Sequence, residues 1–457
     1  MFEALGPAVP VDGPAVGAGE RSIARTHAAR GLAAARAGDH DLAVREFTES
    51  LHHDPLAPQT LNNRGYAYSA LKQYPPALAD FARALELDPT LAAAWNNRGL
   101  TRLALSEFSS ALVDFERALV HDPAMALAHH NRGLALSALN RHAESVACFD
   151  QAIALRKDLA NAYHNRGFAH TALAAFERAI EDYDSAVRLR PRSAVGWYNR
   201  GFARALTGDY AAAESDYDEA VRLDPAFADA LYNRGDLHRI RGKVDLALVD
   251  FAAVVGLRPE FVPVWLRRGE CHFMLSSYSP AVADFSEAIR LAPGRAVGYK
   301  QRGIAFLAQG EPNRALDDFH TALRIEPRNA DTHHFRGQAY HLLGDEERAM
   351  VDYIEAIRIN PQAAEVFQSF ARVWAGGKDA PSSERSLAIE LAERACVLSG
   401  WEDWNCLRTL AAAHAAAGDY AAAVEWAQKA HDLAPAAGRG HCRNELQGYK
   451  HQSSIRP

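Results

Sequence analysis

The chain has 457 residues, 23% charged and 48% hydrophobic, with 30 Gly and 21 Pro; this globular composition excludes a collagen, an acidic disordered tail or a disulfide scaffold. Its 50 basic and 57 acidic residues leave a net charge of −7 without any dense cationic block, which argues against a nucleic-acid partner. Five cysteines (Cys148, Cys271, Cys396, Cys406 and Cys442) form no close pair, and no apolar run reaches the length of roughly 18 residues that a membrane span needs, so a reduced, cytoplasmic protein without a membrane partner is expected.

Residues 1–22 open with MFEALGPAVPVDGPAVGAGE, which has no cationic start and is broken by Pro and Gly. They read as a disordered leader rather than a signal peptide. From residue 23 a period takes over. Glycines stand at 31, 65, 99, 133, 167, 201, 235, 269, 303 and 337, each 34 residues from the next, and an Arg precedes every one. Prolines keep the same step at 55, 89, 123, 191, 225, 259, 293, 327 and 361, with Lys157 as the interruption.

Each unit predicts two short helices. In the unit that starts at Ala92, numbered as position 1, Trp95 and Gly99 at positions 4 and 8 share the face of a first helix with Leu103. A polar break near position 15, often Gly plus Asp as in Gly208–Asp209, ends that helix and caps the next. The second helix carries Ala111, Phe115 and Ala118 at positions 20, 24 and 27. Position 24 is aromatic in ten successive units: Phe47, Phe81, Phe115, Phe149, Tyr183, Tyr217, Phe251, Phe285, Phe319 and Tyr353. Pro at position 32 stops the helix, because it lacks a backbone donor and clashes with the preceding turn. Small residues let the two helices approach, and the aromatic is expected to fill the gap between units. One hairpin cannot bury its own apolar surface, but stacked hairpins share a continuous core.

These residues, with Trp and Gly in the first helix, Ala-x₃-Phe-x₂-Ala in the second and Pro at position 32, resemble the tetratricopeptide repeat family over about residues 24–437. The resemblance implies an all-α fold, a right-handed α-α superhelix (solenoid) of about twelve 34-residue helix-turn-helix repeats. It also implies that first helices line a concave groove where peptides and partner proteins bind.

The expected organisation is a leader over 1–22 and ten regular units over 23–363. Two divergent units over 364–437 follow, with a loop inserted at 376–383, and then a capping helix and tail over 438–457. The divergent pair resembles the terminal repeats of many bacterial proteins of this family. Gly376-Gly377-Lys378 lacks the rest of a phosphate-binding loop.

Position 6 is the main candidate for ligand binding. It is Asn63, Asn97, Asn131, Asn165, Asn199 and Asn233 in six successive units. On a helical wheel it faces away from the seam with the second helix. Asn costs about 0.5 kcal/mol against Ala in a helix interior, so six of them need a return. A carboxamide both donates and accepts, which suits the main chain of an extended peptide of any sequence. First helices about 10 Å apart match roughly three extended residues of ligand per repeat. The row resembles the asparagine ladder in the repeat domain of O-linked N-acetylglucosamine transferase. The alternative is that each Asn bonds an adjacent helix.

Around it, position 5 supplies Asn62, Asn96, His130, His164, Tyr198 and Tyr232, and position 9 supplies Tyr66, Leu100, Leu134, Phe168 and Phe202 before turning acidic at Asp236 and Glu270. Such a groove suits a peptide with bulky side chains. Arg239, Arg267 and Lys300 are the cations nearest the face that a carboxylate clamp would need, and they are too few for one. The Arg at position 7 recurs with an acid at position 23 in nine of the first ten units (Cys148 is the exception), which predicts a structural ion pair between helices.

Adjacent His129–His130 and His333–His334 diverge on a helix and form no metal site, and no nucleotide, zinc-protease or serine-hydrolase motif occurs. The expectation is a non-enzymatic scaffold with no cofactor and no metal, which binds a protein or peptide partner in the groove. Alternatives are an assembly scaffold that binds folded partners or self-associates through its convex face or terminal repeats and, less favoured, an RNA-binding helical repeat.

Overall fold

The computed structural model describes residues 18–375 and 382–455. Residues 1–17 of the expected leader and 376–381 of the expected loop lie outside the described residues. Among those described, secondary structure is entirely α-helical. The chain divides into two compact units, residues 1–233 and 234–457.

The first unit contains α1 (Ala18–Ala37), α2 (His40–His53), α3 (Pro58–Ala70), α4 (Tyr74–Leu87), α5 (Ala92–Ala104) and α6 (Phe108–His121). It continues with α7 (Ala126–Ala138), α8 (His142–Leu155), α9 (Ala160–Ala172), α10 (Phe176–Leu189), α11 (Ala194–Leu206) and α12 (Tyr210–Leu223), and the boundary falls within α13 (Ala228–Ile240). The second contains α14 (Val244–Leu257), α15 (Val262–Met274), α16 (Tyr278–Leu291), α17 (Ala296–Ala308), α18 (Pro312–Ile325), α19 (Ala330–Leu342) and α20 (Glu346–Ile359). It closes with α21 (Ala364–Ala375), α22 (Ser382–Leu398), α23 (Trp404–Ala416), α24 (Tyr420–Leu433) and α25 (Ala436–Ile455). Two edges differ from the sequence expectation. Helix α1 begins at Ala18, inside the expected leader, with Glu20 in its first turn complementing the helix dipole. Helix α22 begins at Ser382, inside the expected loop.

Within each unit a first helix packs on its own second helix, and that second helix packs on the next first helix. Successive first helices also touch one another, as α3 and α5 do, whereas successive second helices do so far less, so first helices take the inner side of the bend. The hairpin is closed by glycine against aromatic. A Cβ placed on Gly99 would lie 2.7 Å from the Phe115 ring, and one on Gly133 would lie 2.6 Å from Phe149. The ring therefore fills its own hairpin as well as reaching the next, where Phe115 joins Ala135. All ten position-24 aromatics are buried.

Position 15 is the turn. It takes positive φ in all ten regular hairpins, from 55° at Ala174 to 85° at Gly38. Half of these residues are glycine and half pay for a side chain in that region. The turn satisfies helix-end carbonyls, as when Asp209 N donates to the Arg204 carbonyl at 3.0 Å. Asp39, Asp209 and Asp345 then cap the second helix through their side chains.

The proline at repeat position 32 has a use beyond stopping a helix. The indole N–H groups of Trp95, Trp197 and Trp265 donate to the carbonyls of Pro89, Pro191 and Pro259 at 2.8 Å, tying each hairpin to the one before. At the C-terminal end, α25 lies on α24, burying Cys442 and Leu446, and Glu445 pairs with Arg408 at 2.9 Å.

Candidate functional site

The expected arginine–acid pairs are present and bidentate. Arg302 Nε and Nη2 donate to the two carboxylate oxygens of Asp318 at 2.8 and 2.7 Å, and this bonding holds the guanidinium above its ordinary range. The same geometry joins Arg64 to Asp80, Arg98 to Asp114, Arg200 to Asp216, Arg234 to Asp250, Arg268 to Asp284 and Arg336 to Asp352. Asp114, fully buried, receives a second arginine from position 11, Arg102 at 2.8 Å. Where position 23 is Cys148, position 11 is Leu136, and the two pack together with Leu112. Arg132, left without that carboxylate, reaches Glu116 at 3.4 Å. In the first hairpin Glu46 pairs with His27 at 2.7 Å. These arginines are structural, and several also lie over an aromatic ring at position 4, as Arg98 lies 4.6 Å from the Trp95 ring centroid.

The asparagine row differs from expectation. Asn63, Asn97 and Asn131 are buried rather than presented to solvent. The amide of Asn131 donates to Asn96 at 2.9 Å, and that of Asn97 donates to Asn62 at 3.0 Å. Asn62 donates in turn to Asn63 at 3.2 Å, and Asn96 to Asn97 at 3.5 Å. The result is a continuous zigzag of carboxamides across α7, α5 and α3. Further along, Asn199 donates to His164 Nε2 at 3.3 Å and Asn233 to the Tyr198 hydroxyl at 3.0 Å. Asn165 is half-buried and makes no side-chain hydrogen bond among the described residues.

The physical reason is a second seam. A wheel shows that position 6 avoids the second helix, but it cannot show that position 6 faces the preceding first helix. There an amide finds position 5 of the earlier repeat, 35 residues back. Burial explains why the ladder is made of amides, since each buried donor and acceptor must be matched. It also affects the histidines at position 5. His130 is buried with its ring 5.5 Å from that of Phe149, and burial, with a smaller contribution from the Arg156 charge, pushes its pKa down to about 4. Burial likewise lowers His164.

Large apolar side chains stand exposed on α9 and α11. Phe168 on α9 and Phe202 on α11, both at position 9, are 54% and 38% exposed. Val195 and Leu206, at positions 2 and 13 of α11, are 49% and 47% exposed. On α11 these lie at i, i+7 and i+11, one face of the helix, beside the half-buried Tyr198, whose ring is 6.5 Å from that of Phe202. Helices α9 and α11 touch, so these exposed side chains stand on neighbouring helices. Tyr66 and Tyr232 are half-buried, and burial raises the Tyr66 phenol. Val195 and Leu206 escaped the sequence reading; their spacing from Phe202 was the signal that could have found them.

In the second unit Arg239, Arg267 and Lys300 are already engaged. Arg239 meets Asp236 at 2.8 Å and Glu270 at 3.8 Å, and Arg267 meets Glu270 at 2.9 Å and Asp236 at 3.4 Å, forming a closed four-membered cluster. Lys300 pairs with Asp331 at 3.3 Å. No group of three or more potential metal ligands occurs among the described residues, and none of their helices is long and apolar enough to cross a membrane.

An all-α array of stacked hairpins with an open inner face defines a helical-repeat protein of the kind that serves as a protein–protein interaction scaffold. One tetratricopeptide repeat model matches residues 58–91, and a second matches 96–160, 157–226, 207–260, 241–296 and 300–364. The chain belongs to the tetratricopeptide repeat family. No curated protein sequence matches it. Among solved structures it is similar to yeast Tom70, at 16% identity over 95% of this chain and 97% of that one, with a TM-score of 0.44. It is also similar to YrrB, described as a protein of this family with an unusual peptide-binding site, at 22% identity over 40% of this chain and 95% of that one, TM-score 0.37. A repeat protein from Parabacteroides merdae shares 21% identity over 54% of this chain and 98% of its own, TM-score 0.41.

Proposed function

We propose that the protein is a non-enzymatic scaffold whose inner face, at α9 and α11, binds an extended segment of a partner protein through that segment's bulky apolar side chains. The observation that carries this reading is the patch of Phe168, Val195, Phe202 and Leu206, four large apolar side chains exposed on two touching first helices. An exposed apolar patch rimmed by polar residues is a common mark of a binding surface. Tyr198 and His164 flank it and supply polar contacts. The amide ladder of Asn63, Asn97 and Asn131 has a supporting role here: it spends its hydrogen bonds in setting the register of α3, α5 and α7. The proposal calls for no cofactor, metal, nucleic acid or membrane. Five free, buried cysteines suit a reducing, cytoplasmic compartment.

Selection of a displayed random peptide library on the immobilised full chain tests this. Selected sequences should be enriched in aromatic and branched aliphatic residues and should lose binding to the Phe168→Ser/Phe202→Ser variant. A selected pool that binds this variant as well as the parent would place the ligand elsewhere.

A further inference from the structure

Where one hairpin stacks on the next, position 28 of a second helix meets position 3 of the following first helix. Leu85 packs with Ala94 in this way, and Ile153 with Ala162. The approach is close. A Cβ placed on Gly298 would lie 2.8 Å from Ile289 Cγ1 and 3.8 Å from Ile289 Cα. Since Ile289 Cβ is one bond from each of those atoms, the two Cβ positions stand about 4 Å apart, inside the roughly 3.5–4.5 Å that a disulfide spans.

At the seam between α22 and α23 both positions are cysteine. Ala388, Ala392 and Ala395, all buried, mark positions 20, 24 and 27 of α22, which puts Cys396 at position 28. Gly418, at φ 85°, marks the turn at position 15 of the last hairpin, which puts Cys406 at position 3. Cys406 follows Cys396 by ten residues where Gly298 follows Ile289 by nine. With that one added residue both side chains remain buried, and both belong to one core cluster.

We infer that Cys396 and Cys406 are a latent disulfide pair, which hydrogen peroxide closes across the α22–α23 seam to latch the last hairpin onto the array. The peroxide oxidises one thiol to a sulfenic acid and is itself reduced to water. The second sulfur then bonds to the first, and the hydroxyl it displaces departs as water with the second thiol's proton. Two thiols and one peroxide thus give one disulfide and two waters, and excess dithiol reverses the bond. Closure gives up the weak contact of the Cys406 thiol with the Asp403 carboxylate at 3.4 Å. The cap of α23 survives, because Asp403 still accepts from the Asn405 N–H at 2.8 Å. Burial, with the nearby Asp403 charge adding to it, pushes both thiols up to about 12. Thiols so protonated are inert in a closed seam, so oxidation passes through transient parting of α22 and α23 and is slow. The bond, once formed, removes that opening.

Prolonged treatment of the full chain with hydrogen peroxide tests this, read by alkylation in denaturant and mass spectrometry of the peptides. Cys396 and Cys406 should be recovered linked to each other, and Cys148, Cys271 and Cys442 as alkylated thiols. Hydrogen exchange of the α23 amides should slow at least about tenfold in the oxidised chain and return to its starting rate with dithiothreitol. Cys396→Val and Cys406→Ala put in place the residues that Val187 and Ala94 supply at the same two positions, so both variants should fold as the parent does. Their α23 exchange should be indifferent to peroxide. Recovery of Cys396 and Cys406 as free thiols or as sulfonic acids after α23 has exchanged, or linkage of either to another cysteine, would overturn the inference. So would a linked pair that leaves exchange in α23 unchanged.

Discussion

Asn97 donates its side-chain amide to the carboxamide oxygen of Asn62, 35 residues earlier, across the seam between α5 and α3 at 3.0 Å. Both groups are buried, so the bond sits where water cannot replace it. Asn97→Ala leaves the Asn62 oxygen without that donor, which costs about 1–3 kcal/mol. The midpoint of chemical denaturation, followed by helical circular dichroism, should fall accordingly. An unchanged midpoint would mean that the ladder contributes nothing to stability.

His130 interrupts this ladder, and its burial carries a pH signature. Its pKa is pushed from the ordinary 6.5 down to about 4, so between those values the unfolded chain binds a proton that the folded chain resists. Stability is therefore complete above about pH 6.5 and falls as pH drops, by about 3 kcal/mol once pH passes below the folded value. His130→Asn places an amide where Asn62 and Asn96 stand in earlier repeats, in reach of Asn165. Denaturation midpoints at pH 7 and pH 4.5 should differ less in this variant than in the parent.

The arginine–acid pairs differ in redundancy. Asp318 is held by Arg302 with Phe306 at position 11, whereas Asp114 is held by both Arg98 and Arg102. Stripping a buried carboxylate of its partner costs about 3–5 kcal/mol. Arg302→Met should approach that loss, and Arg98→Met should cost distinctly less. Equal losses in denaturant titrations would contradict the assignment of Arg102 as a second partner.

Ala174 occupies the hairpin turn at φ 55°, where five of the ten regular hairpins use glycine. An L-residue there costs about 1 kcal/mol, so Ala174→Gly should stabilise the protein by up to that amount. The cavity-free, exposed setting of the turn leaves no packing loss to offset the gain. A lower thermal midpoint in the variant would contradict this reading of the turn.

The sequence carried the fold because its constraints are local and repeated. Gly99 under Phe115, the arginine–acid pairs and the proline stop each recur at fixed spacing within one hairpin, so one chain displays them many times over. What lay between hairpins was less legible. A helical wheel places Asn131 relative to its own second helix but says nothing about Asn96 across the next seam, and so a buried rung reads as an exposed one. Val195 and Leu206 read as ordinary helix residues until α9 and α11 are seen to leave them uncovered. Conversely, Arg239 and Arg267 look available in sequence and are engaged with Asp236 and Glu270 in space.

In the proposed binding mode the apolar patch on α9 and α11, rather than the amide row, grips the partner. Isothermal titration calorimetry tests it directly, with a peptide selected on the parent chain titrated into three forms of the protein. Phe202→Ser should weaken binding at least tenfold, since an aromatic anchor at the centre of an interface contributes about 2 kcal/mol or more. Asn131→Ala should bind within twofold of the parent at a temperature where both remain folded. The opposite pattern, affinity lost with Asn131 and kept without Phe202, would contradict the account.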